Sequence, residues 1–192
     1  VLNIIMAKTK TSALNVVEKQ KTSFEKMSKE FGYTNIMAAP HLVKVTVSVA
    51  TGTHMKRDRK FNDLVMDRLA KITGQKPTLR KAKKAVASFK TREGDLIGVA
   101  VTLRGARMFG FLDKLFNVSL PRTKDFRGIN RTSVDAIGNI TFGIKEHTIF
   151  PEIHDEELKD VFGMAITLGT TAKTKEEATV FFELIGVPFK KA

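Results

Sequence analysis

Seven cations, Lys76, Arg80, Lys81, Lys83, Lys84, Lys90 and Arg92, fall within seventeen positions, and no acidic residue interrupts the chain between Asp67 and Glu93. Ammonium and guanidinium groups at that density neutralise phosphates, so the chemistry they predict is the gripping of a polyanion. Groups suited to catalysis are scarce by comparison. There is no cysteine, the histidines at 41, 54, 147 and 154 stand apart, and no phosphate-cradling glycine loop, nucleophile elbow or zinc-protease motif occurs. Glu152, His154, Asp155 and Glu157 include donors for a divalent cation, which keeps a metal-assisted hydrolase among the alternatives. Acidic residues opening a short helix are the more ordinary account of that cluster. With one tyrosine and no tryptophan, the chain offers no aromatic platform on which single-stranded bases would stack.

The net charge of +13 is unevenly distributed. Residues 1–104 hold 21 lysines and arginines against 8 acids, whereas residues 105–192 hold 12 of each. A merely solvated surface mixes the signs, so a polyanion bound on one side of the molecule is predicted, with nucleic acid the first choice and an anionic membrane surface the rival. The 192 residues suit one domain, and no apolar run is long enough to span a bilayer. Residues 1–12, with two lysines and no sustained period, are expected to form a flexible basic arm ahead of a single domain over 13–192.

The elements that must position the cations follow from periodicity. Leu14, Val17, Phe24, Met27 and Phe31 predict a helix stopped by Gly32. After Pro40, Val43, Val45, Val47 and Val49 alternate with Lys44, Thr46 and Ser48 as in a strand with one face in the core and one facing out. A basic connection at 54–60 leads to a second helical stripe, Phe61, Leu64, Val65, Leu69 and Ile72, ending at Gly74. Strands are expected at 77–81 and 96–104, the second from the alternation of Ile97, Val99, Val101 and Leu103. The basic segment between them is too long for a tight hairpin and is expected to project as a loop, with Val86 and Phe89 exposed among its lysines.

Met108, Phe109, Leu112, Leu115 and Phe116 predict a third helix that stops before Pro121. Residues 133–144 suggest a hairpin turning at Gly138 and Asn139, and residues 150–160 an acidic loop with a short helix. A last strand follows at 163–172. Thr174 and Glu177 then form a capping box for a final helix that buries Ala178, Phe181, Phe182 and Ile185. Intermixed elements with hairpin connections predict an α+β fold: a mostly antiparallel sheet with helices on one face, a split-βαβ-like core running from strand 42–49 through helix 106–117, and the long basic loop projecting from the sheet.

The outward strand positions are lysine, threonine, serine, glycine and alanine, not the aromatics of an RNA-recognition motif. Small hydrogen-bonding residues let a folded RNA approach closely, and Ser48, Gln75 and Thr102 could report 2′-hydroxyls or base edges. Each of them alone is equally well an ordinary polar strand or turn residue.

Longer motifs narrow the choice. ITGQKP (72–77), KAKKAVASFKTREGDLIG (81–98), VTLRGARMFGFLDKL (101–115), VSLPRTKDFRG (118–128), GNITFGIKEHTIFPEI (138–153), GMAITLGTTAKTKEEA (163–178) and PFKK (188–191) together resemble the bacterial form of the large-subunit ribosomal protein family that binds 5S ribosomal RNA. The resemblance runs from about residue 13 to the end. It implies a structural, non-catalytic protein of the central protuberance, needing no cofactor and binding no membrane. The partners it implies are 5S rRNA, 23S-type rRNA, the P-site tRNA and neighbouring ribosomal proteins, including one of the small-subunit head.

By that resemblance Lys44, Thr46, Ser48, Gln75, Lys76, Thr102 and Arg104 contact ribosomal RNA. The loop residues Lys81, Lys83, Lys84, Ser88, Phe89, Lys90 and Arg92 face the elbow of tRNA. A cytoplasmic ribosome is the expected location, with an organellar one the other compartment consistent with the pattern. The chain departs from the family where Ser48 stands in place of an asparagine, and in the run GINRTSVDAIGN (128–139). The competing reading is a nonspecific nucleic-acid-binding or anionic-surface adaptor protein that uses the same basic half.

Overall fold

The alternating segments become neighbours in one antiparallel sheet. In a computed structural model, which describes residues 15–52, 60–124, 126–153 and 161–190, helix α1 (Val16–Phe31) is followed by β1 (Leu42–Ala50), α2 (Phe61–Thr73), β2 (Thr78–Lys81) and β3 (Leu96–Leu103). Then come α3 (Gly105–Lys114), β4 (Ile140–Ile144), β5 (Met164–Thr170) and α4 (Lys175–Ile185). The strand order is β2-β3-β1-β5-β4, and every adjacent pair is antiparallel. Because β3 is antiparallel to both β1 and β2, these two run parallel with β3 between them. The split βαβ is therefore β1–α2–β2, earlier in the chain than the pattern suggested.

Period two puts the branched residues on one side. Val45, Val47 and Val49, then Val99, Val101 and Leu103, then Ile140, Phe142 and Ile144, then Met164, Ile166 and Leu168 are all buried. The helices cover that side with Met27, Leu69, Ile72, Leu112, Phe181 and Phe182. Each such side chain contributes about 1.5–3 kcal/mol on leaving water, which is what drives the helices to a single face. Helix α4 is fastened to α1 through Glu177. Its carboxylate accepts from Lys173 N (2.7 Å) and Thr174 N (3.4 Å) in the foreseen capping box, and also from the hydroxyl of Tyr33 beyond the end of α1. Among the described residues, no helix is long and apolar enough to cross a membrane.

Several local expectations are corrected, each for a physical reason. Helix α1 buries Val16, Ser23 and Met27, while Val17 is 36% exposed and Phe24 and Phe31 are half-buried. Val16 N donates to Asp113 Oδ1 at 2.8 Å, which docks the start of the helix on α3 with Val16 turned inward. Val43 is 41% exposed because the β1–β5 register shifts between Leu42 and Lys44, and the inserted residue leaves Leu42 to fill the core position. Ile97 is exposed at the far end of β3, past the cover of the helices.

The third helix does not stop at Pro121. After Lys114 it passes through a π-helical turn, Leu115–Ser119, and continues over Leu120–Arg122, with Leu120 N bonded to Leu115 O. The longer turn shifts the hydrogen-bond ladder at the place where proline has no N–H to give. The turn foreseen at Gly138 is present, with Asp135 N donating to Asn139 O at 2.7 Å. Its first leg, however, is a single Val134–Ile140 bridge, and β4 takes its full partner from β5. The arm at 1–12, most of the basic connection with His54, and His154, Asp155 and Glu157 with their short helix lie outside the described residues.

Candidate nucleic-acid interface

With helices on one side, the other side of the sheet is left for a partner. The register sets Thr102, Thr46, Thr167 and Thr141 abreast across β3, β1, β5 and β4, and Ala100, Ser48, Ala165 and Gly143 abreast in the next row. Thr78 and Arg80 extend the face onto β2 opposite Ala100 and Gly98, and Lys44 stands opposite Gly169. Strand spacing makes the line from Thr102 to Thr141 about 14 Å long.

The outward positions of the strands hold hydroxyls, methyls, glycines and cations, with Leu96 at the start of β3, and no acid and no aromatic ring. Thr46, Ser48 and Thr102 are half-buried by their neighbours, and Lys44 and Arg80 are exposed. Some of the hydroxyls are already engaged with each other. Thr141 Oγ1 and Thr167 Oγ1 are 3.0 Å apart, and Thr78 Oγ1 donates to Ala100 O at 3.1 Å. A Cβ placed on Gly169 would lie 3.2 Å from Lys44 Cγ, so the glycine leaves room for the lysine stem to lie across β5.

The sequence-derived RNA residues therefore divide. Lys44, Thr46, Ser48 and Thr102 are brought onto one face. Arg104 caps α3 just beyond β3, exposed, and the following Gly105 takes φ 59°. Gln75 and Lys76 lie in the exposed turn that leads from the left-handed Gly74 into β2, at the end of the sheet near Thr102. Thr73 Oγ1 donates to Leu69 O at 2.7 Å and lies 3.2 Å from Gln75 O, at the junction of helix and turn. Absent from the sequence-derived set are Arg80, Thr141, Gly143, Ala165 and Thr167. The alternation of Ile140, Phe142 and Ile144 with Thr141 and Gly143 was visible in the sequence, but only strand order shows that this outward row continues the row of β1.

The basic segment between β2 and β3 is an ordered hairpin arm. Ala82 N donates to Asp95 O (2.8 Å) and Gly94 N to Ala82 O (3.0 Å), continuing the strand pair outward. Val86 and Thr91 exchange backbone bonds of 3.1 and 3.2 Å below a tip formed by Ala87–Phe89 and Lys90. Arg92 N donates to Asp95 Oδ2 at 2.7 Å, so an acid just past the cationic run is used to close the base of the arm. Lys81, Lys83, Lys84, Ser88, Lys90 and Arg92 are exposed, and Phe89 is 71% exposed. Between the arm and the ends of β1 and β3 runs a groove of about 560 Å³, lined by Lys83, Lys84 and Lys90 together with Val86, Phe89 and Ile97.

The other candidate chemistry has a structural account. Glu152 forms an ion pair of 2.5 Å with Lys114, whose ammonium also donates to Ile72 O at 2.7 Å. His147 is buried and stacked on Phe162 with ring centroids 4.0 Å apart, inside the core and away from the sheet face.

Comparison with known proteins supplies the family. Residues 35–92 match the family described as ribosomal protein L5, and residues 96–189 match the model of that ribosomal family's C-terminus. The large ribosomal subunit protein uL5 of Halothermothrix orenii is 49% identical over 86% of this chain and 92% of its own length. Those of Desulforamulus reducens (47% identical over 97% of this chain and 99% of its own length) and Thermotoga maritima (46%, 86% and 89%) are similar throughout. With both halves matched and nearly half the residues shared, the chain belongs to the ribosomal protein L5 family, structural proteins of the large subunit and not enzymes.

Proposed function

We propose that the outer face of the sheet holds 5S ribosomal RNA within the central protuberance and that the hairpin arm reaches the elbow of the P-site tRNA. A neighbouring surface then meets a protein of the small-subunit head, and the ribosome is that of a bacterial-type cytoplasm. The observation that supports the reading most is the outer face itself: threonine, serine, alanine and glycine flanked by Lys44, Arg80 and Arg104, with no acid among its strand positions. Such a surface admits the wide, shallow minor groove of an RNA helix and offers hydroxyl groups to its 2′-OH row, while the flanking cations take phosphates.

The test is a comparison of 5S rRNA with a size-matched RNA at physiological salt. Preference for 5S rRNA is expected, weakened selectively by Thr102→Ala or Gln75→Ala and generally by Lys44→Ala. Equal affinity for the two RNAs, set by salt alone, would favour the nonspecific adaptor instead. For the arm, Lys81, Lys83 and Lys84 changed together to alanine should leave 5S affinity nearly intact and weaken tRNA engagement by assembled ribosomes. A matching loss of 5S affinity would place the arm on the rRNA-binding surface.

A further inference from the structure

A glycine inside a strand is destabilising by about 0.5–1 kcal/mol relative to alanine and needs a reason. At Gly98 the reason is internal, since a Cβ there would come 2.9 Å from Val49 O. At Gly143, in the middle of β4, a Cβ would meet nothing within 4 Å, and the backbone does not adopt positive φ. The fold therefore makes no demand for glycine at 143, whereas a ligand seated closely on the outer face does. Gly143 continues the row of Ser48 and Ala165, and Thr141 and Thr167 continue the row of Thr102 and Thr46.

A second observation lies beside β4, at the opposite edge of the sheet from the hairpin arm. There a groove of about 530 Å³ runs between Thr141–Lys145 and residues of the 120–133 segment. The charged residues lining it, among those described, are Lys124, Arg127 and Lys145, all cations and all exposed. A small-residue surface thus ends in a trough whose described charged residues are cations. The outward rows hold no aromatic anchor of the kind that centres a protein interface, and of the two rings lining the groove Phe142 is buried and Phe126 half-buried.

We propose that RNA held on the sheet extends across β5 and β4 into this groove, with Thr167, Thr141 and Gly143 beneath the minor groove of a duplex and Lys124, Arg127 and Lys145 taking phosphates of its far strand. This rests on the outer face being an RNA platform and adds the half of it that lies beyond β1. The threonine hydroxyls donate to and accept from 2′-hydroxyl groups, and the missing side chain at 143 lets the sugar edge come down to the backbone.

The test measures binding of the full chain to bacterial 5S rRNA over a range of salt concentrations. Gly143→Leu should weaken binding by about tenfold, ~1.4 kcal/mol, with its thermal midpoint unchanged. Lys124, Arg127 and Lys145 changed together to alanine should lower the slope of log K against log salt by about three. Thr167→Val, nearly isosteric, guards against a folding artefact and should also weaken binding. If these variants bind as the parent does while Thr102→Ala is weakened, the footprint ends at β1 and the proposal fails alone. If Thr102→Ala also binds normally, the RNA platform fails with it. If the triple variant binds 5S rRNA normally but does not join large subunits, the groove is a protein interface and the proposal is overturned.

Discussion

The sheet face and the hairpin arm both suit a polyanion, and they are built on opposite plans. The face is short side chains over a closely packed core, so its positions are fixed to within the precision of a strand ladder. The arm is long cationic side chains on a two-stranded ribbon whose only buried residue between Lys81 and Asp95 is Ala82. Shape and hydroxyl placement suit the recognition of one RNA surface, while charge on a slender support suits reach and tolerance of the angle of approach. One molecule thereby offers a specifying surface and an electrostatic finger, and damage to one should leave the other in place.

The largest expected effect is on the core beneath the face. Ile166 is fully buried at the centre of β5, opposite Val47 and Phe142. Ile166→Ala is expected to reduce stability by about 2–5 kcal/mol through lost burial and the cavity left behind. Phe89→Ala, a larger truncation on the arm, should change stability by at most about 1 kcal/mol, since that ring is mostly in solvent. Chemical denaturation of both variants measures the contrast, and equal losses would mean that the arm belongs to the cooperative unit of the sheet.

Next in size is a test of the ladder itself. Gly98→Val should be destabilising by about 1–3 kcal/mol, because its Cβ must displace the Val49 carbonyl and part β1 from β3. The loss should appear in both stability and rRNA binding, since Thr46 and Thr102 face each other across that same pair of strands. Smaller again, Thr46→Val keeps shape and removes one hydroxyl from the face. It should weaken 5S rRNA binding by about 0.5–1.5 kcal/mol, read by titration, with thermal stability unchanged.

The face was more legible in the sequence than its extent. The 42–49 alternation identified the inward valines and outward Thr46 and Ser48, because period two requires only a strand with one wet side. It misplaced Val43, since a bulge leaves no local mark when the inserted residue is itself a good strand former. Thr141, Gly143 and Thr167 went unassigned for a different reason: their strands are far from β1 in the chain, and only the β2-β3-β1-β5-β4 order makes them neighbours. The arm was recognisable by charge as a projection. Its order was not, because it depends on backbone bonds such as Val86 to Thr91 that any side chains can make. Pro121 predicted a helix end by local chemistry, and the π-helical turn before it supplied an alternative.

The smallest expected effect tests how firmly the arm is held. Lys90 has φ 51° and is the one non-glycine residue with positive φ among those described. It closes the tip by donating its N–H to Ala87 O at 3.0 Å. An L-residue pays about 1–2 kcal/mol for a left-handed conformation, and glycine removes that strain while adding unfolded-state entropy of about 0.5–1 kcal/mol. Lys90→Gly should therefore leave global stability within about 0.5 kcal/mol of the parent, and 5S rRNA affinity unchanged. Hydrogen exchange at Val86 and Thr91 supplies the local measure, where protection should be kept or slightly raised. Greater protection at the tip together with weaker tRNA engagement would assign the loss to the missing charge. Lower protection would show that the lysine stem packs into the groove beside Val86, making the arm a structured wedge and drawing it closer in kind to the sheet face it projects from.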